Sequence, residues 1–192
     1  AYFIFGFFGF VVVATFVNNM TFEHLKREKS DALYKEATLI ANTYASDLYS
    51  NETSLDTVKK QLDALDTYLS ARLWIINPSG RMVLDSKSPI DVENETVITG
   101  FDPTAIGESY YTIGTFFDSF TEEQLSVFAP ITSNYKVRGY VVIHYPMQNI
   151  TASCNSLLNI SYLMLVILFL LSLIILIFFT EMVYLPLRKI TE

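Results

Sequence analysis

The rhythm of apolar and polar positions divides the chain into parts. Residues 2–17 and 157–179 carry no charged side chain and are almost wholly apolar. A helix needs about 20 such residues to cross a bilayer core. Residues 157–179, a run of 23 in which Asn159, Ser161 and Ser172 are the clearly polar members, are therefore expected to span a membrane. The shorter N-terminal run is expected to be an uncleaved anchor rather than a signal peptide, because no small-residue cleavage site follows it. The start at Ala1 leads us to expect further residues upstream, among them the basic flank of that anchor.

Between the runs the rhythm is first helical. Residues 21–49 lack Gly and Pro, and Leu25, Ala32, Leu33, Ala37, Ile40, Tyr44 and Leu48 form one apolar stripe. This predicts a long helix, broken at Ser50, Asn51 and Thr53. Thr53 or Ser54 then caps a second helix with Asp56 in its first turn. Leu55, Val58, Leu62, Leu65 and Leu69 make one face of it. Both stripes are expected to pack on the domain's own sheet, with contacts to a second copy as an additional reading for the first. The period then drops to two. Residues 72–77 and 81–85 are predicted strands around the turn Asn77-Pro78-Ser79-Gly80. Alternation puts Trp74 and Ile76 on one face and Ile75 on the other. Residues 86–109 are loop-rich, with Pro89, Gly100, Pro103 and Gly107. Residues 110–117, 125–131 and 139–145 are three further predicted strands, with 132–138 connecting the last two as a hairpin. Helices segregated from a five-stranded antiparallel sheet define an α+β class.

Charged residues make up 17% of the chain, against about 25% in soluble domains. The deficit lies in the apolar runs, because residues 18–156 hold 18 of the 20 acids and 11 of the 13 bases. The 15 Phe and 12 Tyr exclude disorder. The acidic balance argues against nucleic acid as a partner. The lone Cys154 excludes an internal disulfide and a Cys-based zinc site. Arg188 and Lys189 follow the second run closely and predict cytoplasmic ends with an extracytoplasmic domain between them.

The order of elements resembles the extracytoplasmic PAS-like, or single Cache, sensor domains of bacterial membrane receptors. The resemblance rests on RLWIINPSGRMVLDS at 72–86, FDPTAIG at 101–107, LSVFAPI at 125–131 and GYVVIHYP at 139–146. The tail VYLPLRKITE at 183–192 resembles the first helix of a HAMP signalling module. There Pro186 fits a helix start or a kink, and Leu187 and Ile190 have coiled-coil spacing. The resemblance implies a first transmembrane helix at 1–19, a sensor domain at 20–150, a second transmembrane helix at 151–181 and the start of a HAMP module at 182–192. It implies the sensory part of a two-component sensor histidine kinase in a cell membrane, of Gram-positive type. Its expected partners are a second copy, an extracellular ligand or stimulus and, through a kinase domain beyond Glu192, a response regulator. ATP and magnesium belong to that further domain, and no cofactor is expected within these residues. A chemoreceptor or cyclase receptor, or a non-enzymatic membrane anchor, are the alternatives.

No catalytic constellation is present: His24 and His144 are the two histidines, and triad, phosphate-loop and two-histidine metal spacings are missing. Sensor sheets of this kind can hold a ligand between the sheet and the crossing segment. Arg72, Trp74, Tyr110, Tyr111, Phe128 and His144 are the groups that would converge there, with core filling as their other reading. Pro186, Leu187 and Ile190 are the expected relay. Residues 85–123 hold nine acids against one base, Lys87. That segment is read as a solvated loop, or as a site for divalent cations or cationic peptides.

Overall fold

A computed structural model describes residues 2–106 and 109–191. Gly107 and Glu108, which the expected crossing segment and acidic segment include, and Glu192 of the tail lie outside the described residues. The chain forms two compact units, Asn19–Thr151 and Ala152–Glu192 with Ala1–Asn18.

In the second of these units the apolar runs are helical. Helix α1 spans Tyr2–Ile40 and helix α4 spans Met147–Thr191. Two helices are long and apolar enough to cross a membrane, Ile4–Tyr49 and Met147–Ile190, and their apolar stretches are uncovered by protein. Helix α4 begins directly after the last strand, so the residues after 146 are helix, not a linker. Pro186 lies inside α4 rather than at a helix start. Its ring nitrogen cannot donate to the carbonyl of Met182. Cys154 is buried, with its thiol 3.9 Å from the Asn18 side-chain oxygen.

In the Asn19–Thr151 unit, α1 is followed by a π-helical turn at Ala41–Ala45 and a short helix α2 at Ser46–Tyr49. Leu33, Ala37, Ile40, Ala41 and Ala45 are buried, whereas Ala32 is exposed. Leu25, Tyr44 and Leu48 are half-buried against the same core, so Ala32 is the one expected stripe position that is exposed. Helix α3 covers Leu55–Leu69. Ser54 is its N-cap, its hydroxyl accepting from the Thr57 N–H at 3.2 Å, and Asp56 complements the first turn. Val58 and Leu62 are fully buried.

Strands β1 (Arg72–Ile76), β2 (Met82–Asp85), β3 (Tyr111–Gly114), β4 (Gln124–Ser133) and β5 (Lys136–Pro146) form one sheet in the order β2-β1-β5-β4-β3 among the described residues. All neighbours are antiparallel. The α+β class with a five-stranded antiparallel sheet is thus the observed one. The Asn77–Gly80 turn closes with the Gly80 N–H donating to the Asn77 carbonyl at 3.0 Å. Gly80 has φ of 87°, and a Cβ there would lie 2.8 Å from the Phe101 Cβ, so both the turn and the close approach favour glycine.

Two boundaries differ from the sequence reading by more than two residues. The β4–β5 hairpin is tight: Ser133 pairs with Lys136, and Asn134 and Tyr135 both have positive φ, as in a type I′ turn. Strand β3 stops at Gly114 instead of reaching residue 117. Beyond it Phe116, Phe117 and Asp118 have φ of 45°, 52° and 59°. Such consecutive left-handed residues cannot continue a strand.

The sheet has a core on each face. Leu73, Ile75, Val127, Ala129, Val141 and Ile143 pack with residues of α1 and α3. Trp74, Ile76 and Val142 face the other way, under Ile98 of the 86–109 loop and Phe116 and Phe120 of the β3–β4 connection. A fully buried Leu or Ile contributes about 1.5–3 kcal/mol.

Candidate functional site

The face of the sheet turned away from the helices carries a polar row through its apolar core. Register places Arg72 of β1 beside His144 of β5, His144 beside Ser126 of β4, and Ser126 beside Thr112 of β3. Period-two alternation puts these side chains on the face that holds Trp74. At the outer end, Arg72 Nε and Nη2 donate to the two Asp85 carboxylate oxygens at 2.9 and 2.5 Å. Burial pushes the Asp85 pKa up, but the Arg72 hydrogen bond, the Lys87 N–H and the Ser88 hydroxyl outweigh it and hold the carboxyl below its usual value. The same Asp85 hydrogen bond raises the Arg72 pKa against burial.

A cavity of about 740 Å³ opens beside this pair. Its floor is Arg72 and Trp74, its edge is β2, and its far wall is the loop from Ser88 to Thr99 with Phe117–Ser119. Asp91 and Asp118 add carboxylates to it. Trp74 is 4% exposed, yet its indole N–H has no hydrogen-bond partner. A buried donor left unpaired costs about 1–3 kcal/mol, and this nitrogen is itself shielded from solvent. A second cavity of about 300 Å³ is lined by 112–118 with Ala105 and Ile106, and Phe117 and Asp118 line both cavities.

Behind Trp74 sits His144, fully buried. Its Nδ1 is 2.6 Å from the Ser126 hydroxyl, while its Nε2 has no partner. Three rings enclose it: Trp74 at 4.2 Å, Phe120 at 4.6 Å and Phe116 at 4.8 Å between centroids. Phe120 also stacks on Trp74 at 5.3 Å and 15°. Burial, with the Arg72 charge adding and Asp85 opposing, pushes the His144 pKa down to about 3.

Two of the six expected ligand-site residues, Arg72 and Trp74, line the larger cavity. His144 lies under them as described. Phe128 is on the same face but packs against Tyr140, with centroids 6.1 Å apart. The tyrosines lie elsewhere. The Tyr110 hydroxyl donates to Asp31 of α1, and its ring is 4.6 Å from that of Tyr34. Tyr111 packs into the helix-side core. The groups not foreseen are Asp85, Phe116, Phe117, Asp118 and Phe120. For those in 115–120 the signal is the aromatic string TFFDSF, of which the predicted strand 110–117 takes in the first three residues. The acids of 85–123 do not converge: among the described residues no three His, Cys, Asp or Glu side chains come together as for a metal.

A separate polar cluster ties α3 to the end of β2. Asp66 accepts from the Ser86 hydroxyl at 2.5 Å and pairs with Lys87 at 2.7 Å. The Leu73 N–H donates to the Ser86 hydroxyl oxygen at 2.9 Å. Lys59 pairs with Asp63 and donates to the Ser86 carbonyl at 3.2 Å. These bonds hold the strand that carries Arg72 and Trp74 against the helices.

No protein-family model matches the chain, and no curated protein matches it by sequence. Solved structures do share its fold. The sensor domain of the histidine kinase DctB of V. cholerae superposes with a TM-score of 0.51 and 14% identity, over 69% of this chain and 55% of that one. A domain of a sensory box/GGDEF family protein of Vibrio parahaemolyticus superposes with a TM-score of 0.54 and 11% identity, over 74% and 64% respectively. The chain thus spans less than two thirds of the length of either structure. The fold is that of PAS-like, or Cache, sensor domains, here flanked by two apolar helices of membrane-spanning length.

Proposed function

We propose that the chain is the sensory and membrane-spanning part of a receptor of the sensor histidine kinase type. Residues 20–150 lie outside the cytoplasm and read a small polar ligand. The observation that carries this reading is the 740 Å³ cavity lined by Arg72 and Trp74 of β1. Concave sites with a few placed polar groups are the usual geometry for small ligands.

Strand β5 ends at Pro146 and α4 starts at Met147. A displacement of β5 therefore enters α4 through the backbone, without a loop to absorb it. Beyond the membrane, Pro186, Leu187 and Ile190 serve as the relay into a HAMP module, within a homodimer. A kinase domain beyond Glu192 uses ATP and magnesium and passes phosphate to a response regulator. Such a ligand acts only by favouring one of two existing arrangements.

Trp74 is the one tryptophan, so its emission reports on the cavity. A panel of small carboxylates and amines, added to the full chain in lipid nanodiscs, should contain a member that shifts Trp74 emission and raises the melting temperature. Arg72→Gln should lose both responses. A panel without effect on the wild-type chain would sink the ligand reading. In the longer receptor, Leu187→Glu should lock or abolish autophosphorylation and Arg188→Gln should do much less. Normal signalling by Leu187→Glu would remove the relay.

A further inference from the structure

His144 itself lines neither cavity, although Trp74, one of the rings that enclose it, lines the larger one. Two of the three enclosing rings, Phe116 and Phe120, belong to the short segment 115–120, whereas Trp74 belongs to the sheet. That segment is closed by its own backbone, the Ser119 N–H donating to the Phe116 carbonyl and the Phe120 N–H to the Thr115 carbonyl, each at 3.1 Å. It carries three successive left-handed residues that are not glycine. Strained backbone of this kind persists only where the surroundings hold it, and here the holding contacts are the two phenyl rings. Residues 117–119 of the segment line the larger cavity and residues 115–118 the smaller.

The geometry points to a latch: residues 115–120 close Phe116 and Phe120 over a neutral His144, and His144 can take a second proton only when that closure opens. Acid then shifts the domain toward the open state. The reason lies in the partners. Protonation makes both imidazole nitrogens donors. In the closed state Nδ1 has the Ser126 hydroxyl, but Nε2 faces no acceptor. A buried imidazolium would also sit beside the Arg72 guanidinium. The charged groups that act on it are Arg72 from β1, unfavourably, and Asp85 from β2, favourably. Strand β4 offers only the Ser126 hydroxyl, and the latch offers phenyl rings, with its carboxylate Asp118 exposed and lining the cavities. Attraction of a cation to ring faces returns only a small part of the lost hydration.

The direction follows from linkage. The closed state binds the proton only near pH 3, while a solvated histidine binds it near 6.5. Closure is therefore fully stable above about 6.5 and weakens progressively as pH falls toward 3. The inference does not depend on any ligand for the larger cavity.

The test uses the 192-residue chain in nanodiscs, labelled with ¹³C,¹⁵N-histidine. It has two histidines, and His24→Gln assigns them. The His144 ring is expected to stay neutral from pH 7.5 to about 5. Below that, its proton uptake should coincide with access of acrylamide to Trp74 while far-UV ellipticity is retained. Phe120→Ala should raise both midpoints together by about one pH unit or more. His144→Gln should remove the acid-dependent access. If His144→Gln does not fold, the Phe120→Ala shift decides alone. The latch is overturned if His144 charges near pH 6.5 with Trp74 still shielded, or if Phe120→Ala moves neither midpoint. Equal acid access in a folded His144→Gln variant, or loss of far-UV ellipticity together with Trp74 exposure, overturns it as well.

Discussion

Replacing Gly139 with alanine tests the closest approach in the sheet. A Cβ at this position would lie 2.5 Å from the Ile76 carbonyl oxygen and 3.0 Å from the Tyr49 hydroxyl. Ordinary van der Waals contact begins near 3.4 Å. The Tyr49 ring can swing aside, but the Ile76 carbonyl belongs to the backbone of β1, which sits between β2 and β5. Relief at that point requires separating β1 from β5. Overpacking of this kind costs about 1–3 kcal/mol, or very roughly 3–15 °C of melting temperature for a domain of this size. The assay is thermal unfolding of the full chain in detergent, followed through Trp74. Tyr49→Phe supplies the internal control. Its hydroxyl is buried without a hydrogen-bond partner, so its loss alone should be neutral or slightly stabilising. Gly139→Ala should stay destabilised in the Tyr49→Phe background. A wild-type melting temperature for the double variant would show that the hydroxyl, not the strand carbonyl, sets the limit. An unchanged melting temperature for Gly139→Ala alone would refute the argument altogether.

Ile75→Asp and Val142→Asp place a carboxylate in opposite cores of the sheet, at positions with no exposure. Each should cost several kcal/mol and abolish cooperative melting of the Asn19–Thr151 unit; a normal melting curve for either would show that its face is open. Asp85→Asn removes the carboxylate that Arg72 holds below its usual pKa. The stability gap between wild type and Asp85→Asn should be full above about pH 4 and close as pH falls through the lowered value. Denaturant titration at several pH values measures it, and a gap that widens in acid would reverse the sign of the argument.

The strands were legible because LWII and YVVI are short continuous runs rich in β-branched and aromatic residues, the pattern of strands buried on both faces. The second helix was legible from Ser54 and the spacing of Val58 and Leu62. The π-helical turn was not, because Ala41 and Tyr44 suit either periodicity and only the fold chooses between them. The Asn134-Tyr135 turn escaped because the usual glycine is missing and a tyrosine occupies its left-handed position. The candidate site was half legible. Arg72 and Trp74 alternate on one strand, so their common face could be read directly. The latch residues could not, since Phe116, Phe117 and Asp118 are poor left-handed residues held there by tertiary contacts. Tyr110 and Tyr111 were assigned by aromatic character alone, which does not distinguish a cavity wall from contact with a helix.

The π turn at Ala41–Ala45 has a consequence of its own. A helix that carries one residue more than α periodicity allows has an angular offset at that point, about 100° in an α-helix of 3.6 residues per turn. Deleting one residue from 41–45 would let the segment close as plain α-helix. The deletion would then act as a rotation, swinging α2 about its axis and carrying Tyr49 away from the gap at Gly139. Chain length in this segment thus sets an angle more than a distance, and a register of side chains far along the sequence depends on keeping that single extra residue.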